Sequence, residues 1–384
     1  MDPLKFTRPS GTLVPTIQGQ KAFIPSQLPP QLNLTAIQQT LSEADQKLGE
    51  LRGIGRYLPN PFLLIRPLQR KEAIASSNIE GTYTSLPELL MFESGADDSH
   101  RTTVDTREVY NYVTALQTGM ELLGEVPVSN RMIYELHRTL LRGLPRSRTG
   151  YYEAGQYRTE QNFIGKSKDV SKSRFNPPPP PVHLECMRDL EAFINDEAMA
   201  GLPPLVFAAL VHYQFETIHP FPDGNGRVGR LLIPLILRSR QVMDQPLLYM
   251  SQYFEDNKDE YTDLMLNVSC NSEWIQWISF FLRGVTQSCE KTIVTIHRVM
   301  EMQENYKAKC QQARSSALLI KIIDKLFETL LITTPMIQEL TGTSYTAAKN
   351  NIGKLIECGV IEELKYDGRT KFYFSKELTK LFES

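Results

Sequence analysis

His219-Pro220-Phe221-Pro222-Asp223-Gly224-Asn225-Gly226-Arg227-Val228-Gly229-Arg230 is the stretch on which the reading of this 384-residue chain turns. Gly224 and Gly226 let the backbone turn and bring N–H groups close to anionic oxygens. The loop opens into an apolar helical run at 231–238, so a bound phosphate would sit at the positive end of a helix dipole. Arg227 and Arg230 are three residues apart, on one face, where both can point back at phosphates. Asp223 offers a hard oxygen ligand for Mg²⁺. His219 closes the preceding helical run and is the group here able to take a proton near neutral pH, which suits it to activating a hydroxyl.

Three plainer readings compete. Gly224-x-Gly226-x-x-Gly229 matches a dinucleotide fingerprint, but that fingerprint needs a preceding strand within a βαβ unit, and here helical patterns flank the loop. His219 and Asp223 as zinc ligands lack a third His or Cys nearby. A structural turn with solvated arginines would explain a lone His or a lone Gly pair. It explains poorly the gathering of two glycines, two arginines, Asp, Asn and His within twelve residues.

Outward from the loop, helical patterns precede it at 35–52, 67–79, 106–123, 129–141, 186–195 and 205–217, and follow it at 258–268, 274–289 and 292–313. Residues 1–34, rich in proline, predict an extended arm wrapped on a folded body. An insertion from 150 to 181 contains YRTEQNFIG and ends in FNPPPPP, which predicts a short hairpin and a stiff polyproline rail. The tail changes rhythm: helices at 317–328 and 344–358, then strand-like runs at 360–364 and 371–374 joined by Tyr366-Asp367-Gly368-Arg369, whose Asp-Gly signals a hairpin. Helix-turn-helix plus hairpin is the winged-helix layout.

The formal net charge is −2, so any nucleic-acid contact must come from a local patch. Five scattered cysteines without a CxxC pair fit a reducing compartment. No signal-peptide core opens the chain, and the run 231–237 is too short to span a bilayer, so a cytoplasmic protein with no membrane partner is expected.

The loop matches without a departure the Fic motif HPFx(D/E)GNGRxxR, and the chain resembles Fic (Fido) proteins that carry a C-terminal winged helix. The arm, with Phe23-Ile24-Pro25 and Leu28-Pro29-Pro30, is similar to theirs. The resemblance implies a mainly α protein: an all-helical Fic fold with a small β-hairpin flap, plus a winged-helix domain. The expected division is an arm and N-terminal helices at 1–100, a catalytic core at 101–290, and a linker helix with the winged helix at 291–384. It implies an enzyme moving AMP from ATP, with Mg²⁺, to a Ser, Thr or Tyr hydroxyl of a target protein. By position His219 is the base and Asp223 holds the metal. Gly224, Asn225 and Gly226 cradle the anion, with Val228 and Gly229 in the same ATP site. Arg227 contacts the phosphates and Arg230 the γ-phosphate.

Ser76-Ser77-Asn78-Ile79-Glu80-Gly81 is similar to the Fic inhibitory motif (S/T)xxxE(G/N), which implies that Glu80 pairs with Arg230. A carboxylate on that guanidinium would occupy the partner of the γ-phosphate. On the substrate side, Phe163-Ile164-Gly165 is expected at the flap tip, where a target segment would add as a strand. Asn257 is expected among the adenine and ribose contacts. Alternatives on the same fold are AMP removal, or transfer of another phosphate-containing group. Gly226, where a cationic residue is absent, favours nucleotidyl over phosphate transfer. A third alternative is a nucleotide-sensing regulator, with 344–354 in a DNA groove and Arg369 on the wing; the near-balanced charge of the tail favours protein contacts instead. A homodimer fits both base rate and resemblance.

Overall fold

The computed structural model describes residues 1–58, 60–95, 103–149, 152–165, 172–312, 317–364 and 370–383. The arm is not simply extended. Strands β1 (Gly11–Pro15) and β2 (Lys21–Pro25) pair antiparallel with Leu13 opposite Phe23. Gly19, at φ +79°, closes the turn between them, a conformation that suits glycine.

Helix α1 (Gln38–Arg56) is followed by α2 (Phe62–Ile79). Sequence reading starts the second helix at Pro67, yet it begins more than a turn earlier. Pro67 sits inside the helix and is buried, so packing outweighs the one backbone hydrogen bond it removes. At its far end Gly81, at φ +83°, closes the helix: Thr82 N–H bonds Ser77 O and Gly81 N–H bonds Asn78 O, each at 3.0 Å. This Schellman arrangement makes Glu80 the last residue before the turn. Helix α3 (Leu86–Glu93), capped by a Ser85–Glu88 capping box, was not legible as a helix.

Helices α4 (Val104–Leu122), α5 (Asn130–Leu140), the single turn α6 (Arg146–Thr149) and α7 (Val182–Asn195) surround a central pair, α8 (Pro204–Ile218) and α9 (Asn225–Ser239). Helix α8, and α9 from Leu231 to Leu237, are apolar nearly all round, and both helices are buried nearly throughout, which fixes them as the middle of the core. Helices α10 (Ser251–Asp256) and α11 (Lys258–Asn271) lead to α12 (Trp274–Gln312), one 39-residue helix where sequence reading sees two. It packs on α1 and α8, with Trp277 Nε1 donating to Ala209 O at 3.0 Å, and it reaches the C-terminal elements through Gln303 to Asp324 and Tyr306 to Ser375.

Those elements are α13 (Ala317–Thr329), β3 (Leu331–Thr333), α14 (Thr334–Thr341), α15 (Tyr345–Glu357), β4 (Glu362–Leu364), β5 (Phe372–Phe374) and α16 (Lys376–Glu383). The strands form an antiparallel sheet in the order β3-β5-β4. The third strand, β3, is an addition to the expected hairpin. The turn 366–369, with Arg369, lies outside the described residues. Helix α13 packs on α2. Arg66 pairs with Glu328 at 2.5 Å, while Arg70 grips Glu93 at 2.7 Å and donates to Glu328 O at 3.2 Å.

Candidate active site

Helix α8 ends at His219, whose φ of 50° turns the chain into the loop. A non-glycine residue held in the left-handed region needs surrounding bonds to keep it there. Arg158, 3% exposed, provides them. Its Nε donates to His219 O at 2.9 Å, its backbone N–H to Pro220 O at 2.9 Å, and its remaining nitrogens to Glu160 O and Pro178 O. The insertion is therefore clamped at its base to the residue that carries the imidazole. The His219 ring places Nδ1 at 3.3 Å from Glu216 O. A carbonyl only accepts, so Nδ1 carries the hydrogen and Nε2 keeps its lone pair. Burial, then the charge of Arg158, lowers this histidine to about 4, which leaves it neutral at pH 7.

The loop is braced from within and from beneath. Asn225 folds its side chain back, accepting from Phe221 N–H and donating to Phe221 O, both at 2.8 Å. His137 of α5 stacks on Phe221 at 3.8 Å, receives Gly155 N–H on Nδ1 at 2.9 Å, and donates from Nε2 to Asp223 O at 3.1 Å. Both its nitrogens are thereby assigned, and burial lowers it to about 4. Gly224, at φ +78°, then opens α9. Among the described residues, no acceptor is bonded to the N–H groups of Asn225, Gly226 and Arg227. They are the orphan donors of a helix start, the chemistry that receives an anion. The N–H of Val228 already bonds Gly224 O at 3.0 Å, and its side chain is in the core. Val228, expected in the ATP site, thus uses its own N–H within the helix.

Arg230 is 2% exposed and is held by the end of α2 through Nε and Nη2. Its Nε donates to Ser76 Oγ at 2.8 Å, and its Nη2 to Ser76 O at 2.9 Å and to Glu80 Oε1 at 2.6 Å. Burial opposes charge on both partners, yet their attraction wins: Glu80 lies below its ordinary value and Arg230 above. Glu80 also presses on Gly226, where a Cβ would meet Oε1 at 2.2 Å. The carboxylate therefore covers both the arginine and the glycine of the loop. One turn further along α9, Glu216 Oε1 is buried without a partner among the described residues, and burial drives that carboxyl up to about 7. A Cβ at Gly229 would meet it at 2.1 Å, so Gly229 is required for close approach.

Asp223 is 58% exposed at the mouth of the loop, 3.5 Å from Arg227. No cluster of three His, Cys, Asp or Glu groups able to hold a metal occurs among the described residues. A single forward carboxylate fits a metal that arrives with phosphate ligands rather than a resident ion. Asn257 stands where α10 meets α11, its amide donating to Tyr253 O at 2.9 Å. The neighbouring Lys258 Nζ bonds Ile79 O at the end of α2, so this junction borders the Glu80 turn. In the insertion, Ile164 pairs with Phe175. That pairing joins the expected flap segment 163–165 to the returning limb at Phe175; residues 166–171, between the two, lie outside the described residues. The limb 173–176 is held by the arm through Phe23 N–H to Asn176 O at 2.9 Å and Asn176 Nδ2 to Lys21 O at 2.7 Å.

Two family models match the chain: the Fic/DOC family N-terminal model over residues 38–121 and the Fic/DOC family model over 127–237. The chain belongs to the Fic/DOC family. It is 38% identical over 105 residues to protein adenylyltransferase fic-1 of Caenorhabditis briggsae, covering 27% of this chain and 18% of that protein. It is 31% identical over 145 residues to protein adenylyltransferase Fic of Drosophila melanogaster, covering 36% of this chain and 27% of that one. The matched segments thus span about a fifth to a quarter of those relatives' lengths. The fold is shared with a Fic family protein of Desulfovibrio desulfuricans (TM-score 0.58, 21% identity, 91% of this chain and 98% of that one). It is shared also with Fic-1 of C. elegans (TM-score 0.54, 22% identity, 69% and 75%). No described helix is long and apolar enough to cross a membrane.

Proposed function

We propose that the protein is an adenylyltransferase that moves AMP from ATP to a hydroxyl of a target protein, itself included, and that Glu80 holds it in check. The observation that carries this reading is the conjunction at one loop: three free N–H donors at a helix start, a neutral imidazole with an available Nε2, and an arginine already paired with a carboxylate.

In this reading the triphosphate lies over the donors of Asn225, Gly226 and Arg227. Arg227 and Arg230 offset its charge. Mg²⁺, held by Asp223, would supply further charge neutralisation when bound. His219 Nε2 takes the proton of the acceptor hydroxyl as its oxygen bonds to the α-phosphorus. The bond from that phosphorus to the α,β-bridging oxygen breaks, and pyrophosphate leaves with the bonding pair. With Glu80 on Arg230 the γ-phosphate loses its guanidinium and finds a carboxylate beside Gly226, so the nucleotide cannot settle productively. The C-terminal helices and sheet are read as a winged helix that contacts protein, its first helix seated on α2.

Incubation of wild type, Glu80→Gly and Glu80→Gly/His219→Ala with α-labelled and γ-labelled ATP tests the reading. Protein-bound α-label that rises in the first variant and vanishes in the second is the expected result. Protein-bound γ-label would mean phosphate transfer, and faster loss of AMP from pre-labelled target in wild type would mean AMP removal.

A further inference from the structure

Glu108 lies on α4, 119 residues before Arg227, and is 2% exposed. Its Oε2 accepts from Arg227 Nη1 at 2.8 Å and from Thr82 Oγ1 at 3.2 Å, and its Oε1 accepts from Arg148 Nε. Arg148 in turn donates to Asp105 at 2.8 Å and to Thr82 Oγ1 at 3.3 Å. A carboxylate this buried is tolerated only where charge and hydrogen bonds satisfy it, and here two guanidiniums and a hydroxyl do so. The network accounts for one edge of Arg227 and leaves the other nearly idle. Among the described residues, Nη2 has only the 3.5 Å approach to Asp223, and Nε is buried with no acceptor. An orphaned donor on a side chain 3% exposed calls for an explanation.

We propose that Glu108 is a positioning residue for the nucleotide site: by anchoring Nη1 of Arg227 it keeps the rest of that guanidinium aimed at an incoming phosphate. Without the anchor a buried arginine would be free to turn toward Asp223 or Glu80, and its phosphate contact would have to be assembled at binding rather than beforehand. The anchor also ties two parts of the site together. Thr82, which shares Oε2, stands two residues beyond Glu80, so one carboxylate fixes both the phosphate arginine and the end of the inhibitory turn. This inference rests on the reading of the loop as a nucleotide site.

The test is a double-mutant cycle in the Glu80→Gly protein, where the brake does not confound binding. The probe is Mg²⁺ with an ATP analogue carrying a methylene bridge between the α- and β-phosphates, titrated by calorimetry. Glu108→Gln is expected to raise the analogue Kd about tenfold, the order of a lost charge-assisted contact, and to raise the KM for ATP more than it lowers kcat. In an Arg227→Ala background the same change is expected to alter Kd less than about twofold, because its effect runs through that arginine. Glu108→Asp keeps the charge but is a methylene too short to reach both arginines. It is expected to lose about fivefold, again only with Arg227 present, and it serves if the glutamine variant does not melt cooperatively. An unchanged Kd in both Glu108 variants, or an equal loss with and without Arg227, would overturn the proposal. If the Glu80→Gly parent binds no analogue, the nucleotide site and this inference fall together. If it binds analogue but transfers no AMP, the reaction falls and the role of Glu108 is still decided by the cycle.

Discussion

Arg230 and Glu80, separated by 150 residues, share a 2.6 Å hydrogen bond between full charges, and the arginine has no exposed surface to speak of. Three donations from one guanidinium to α2 make the turn after that helix a stopper in the loop. Removing the stopper should therefore cost little structure and change much chemistry. Glu80→Gly is expected to raise initial rates of α-label transfer about ten- to a hundredfold, the equivalent of ~1.5–3 kcal/mol for a hydrogen bond to a charged group. Glu80→Gln, which keeps the length without the charge, should fall between. Rates measured at saturating ATP decide it, and equal rates in all three would contradict the brake.

The acid side of the pH profile follows from His219. Burial and Arg158 hold it at about 4, below the ordinary 6.5, so the imidazole stays unprotonated as pH falls through 6. Transfer by Glu80→Gly is expected to keep its rate from pH 8 to below 6.5, with the acid limb beneath that. Bound triphosphate moves the limb upward from 4. A limb at or above 6.5 in kcat/KM, which reports the free enzyme, would contradict this.

Stability should follow the same sign. His137 and His219 are held at about 4 and His212 at about 3, each by burial first. His212 is locked between Gly229 O at 3.0 Å and the Tyr261 hydroxyl at 2.7 Å. An unfolded histidine takes its proton near 6.5, so stability is complete above that value and declines as pH falls toward 4. Each histidine contributes a loss of about 1.4 kcal/mol per pH unit. Denaturant midpoints should drop from pH 7 to pH 5, and His137→Gln should drop less over that interval than wild type.

His137→Phe keeps a ring against Phe221 but leaves Gly155 N–H and Asp223 O without partners. A loss of about 2 kcal/mol in stability is expected for two buried unsatisfied groups partly relaxed by water. In the Glu80→Gly protein the same change should lower kcat about tenfold, since the loop carrying Asp223 loses its tether. Stability and kinetics moving independently would contradict the assignment of His137 as the loop's brace.

Asp223 is largely exposed and its one ion pair is long, so Asp223→Ala should leave the thermal midpoint within about 1 °C. Transfer should nevertheless fall at least about a hundredfold and recover partly at raised Mg²⁺. Chelation of the metal should abolish transfer by the parent without unfolding it, because no three-ligand metal cluster occurs among the described residues.

The loop was legible because all its parts lie within twelve residues and each is a special residue type for a local reason. The Glu80–Arg230 pair was legible only through family resemblance; nothing in either neighbourhood announces a partner 150 residues away. His137, Arg158, Glu108 and Glu216 were missed for the same physical reason. Each is a polar side chain in a helix or limb whose local pattern is ordinary, and only long-range packing aims it at the loop. The long helices were readable from their apolar periodicity. Helix α3, strand β3 and helix α10 were not, being too short to show a period. Pro67 misled because a tertiary contact overrode a local rule.

The most direct test of the central claim is intact-protein and peptide mass spectrometry of Glu80→Gly after incubation with ATP and Mg²⁺, with Glu80→Gly/His219→Ala alongside. The account predicts one or more added adenylyl groups on hydroxyl side chains of the first protein and none on the second. An unmodified Glu80→Gly protein, with or without an added target extract, or equal modification of both variants, would contradict it.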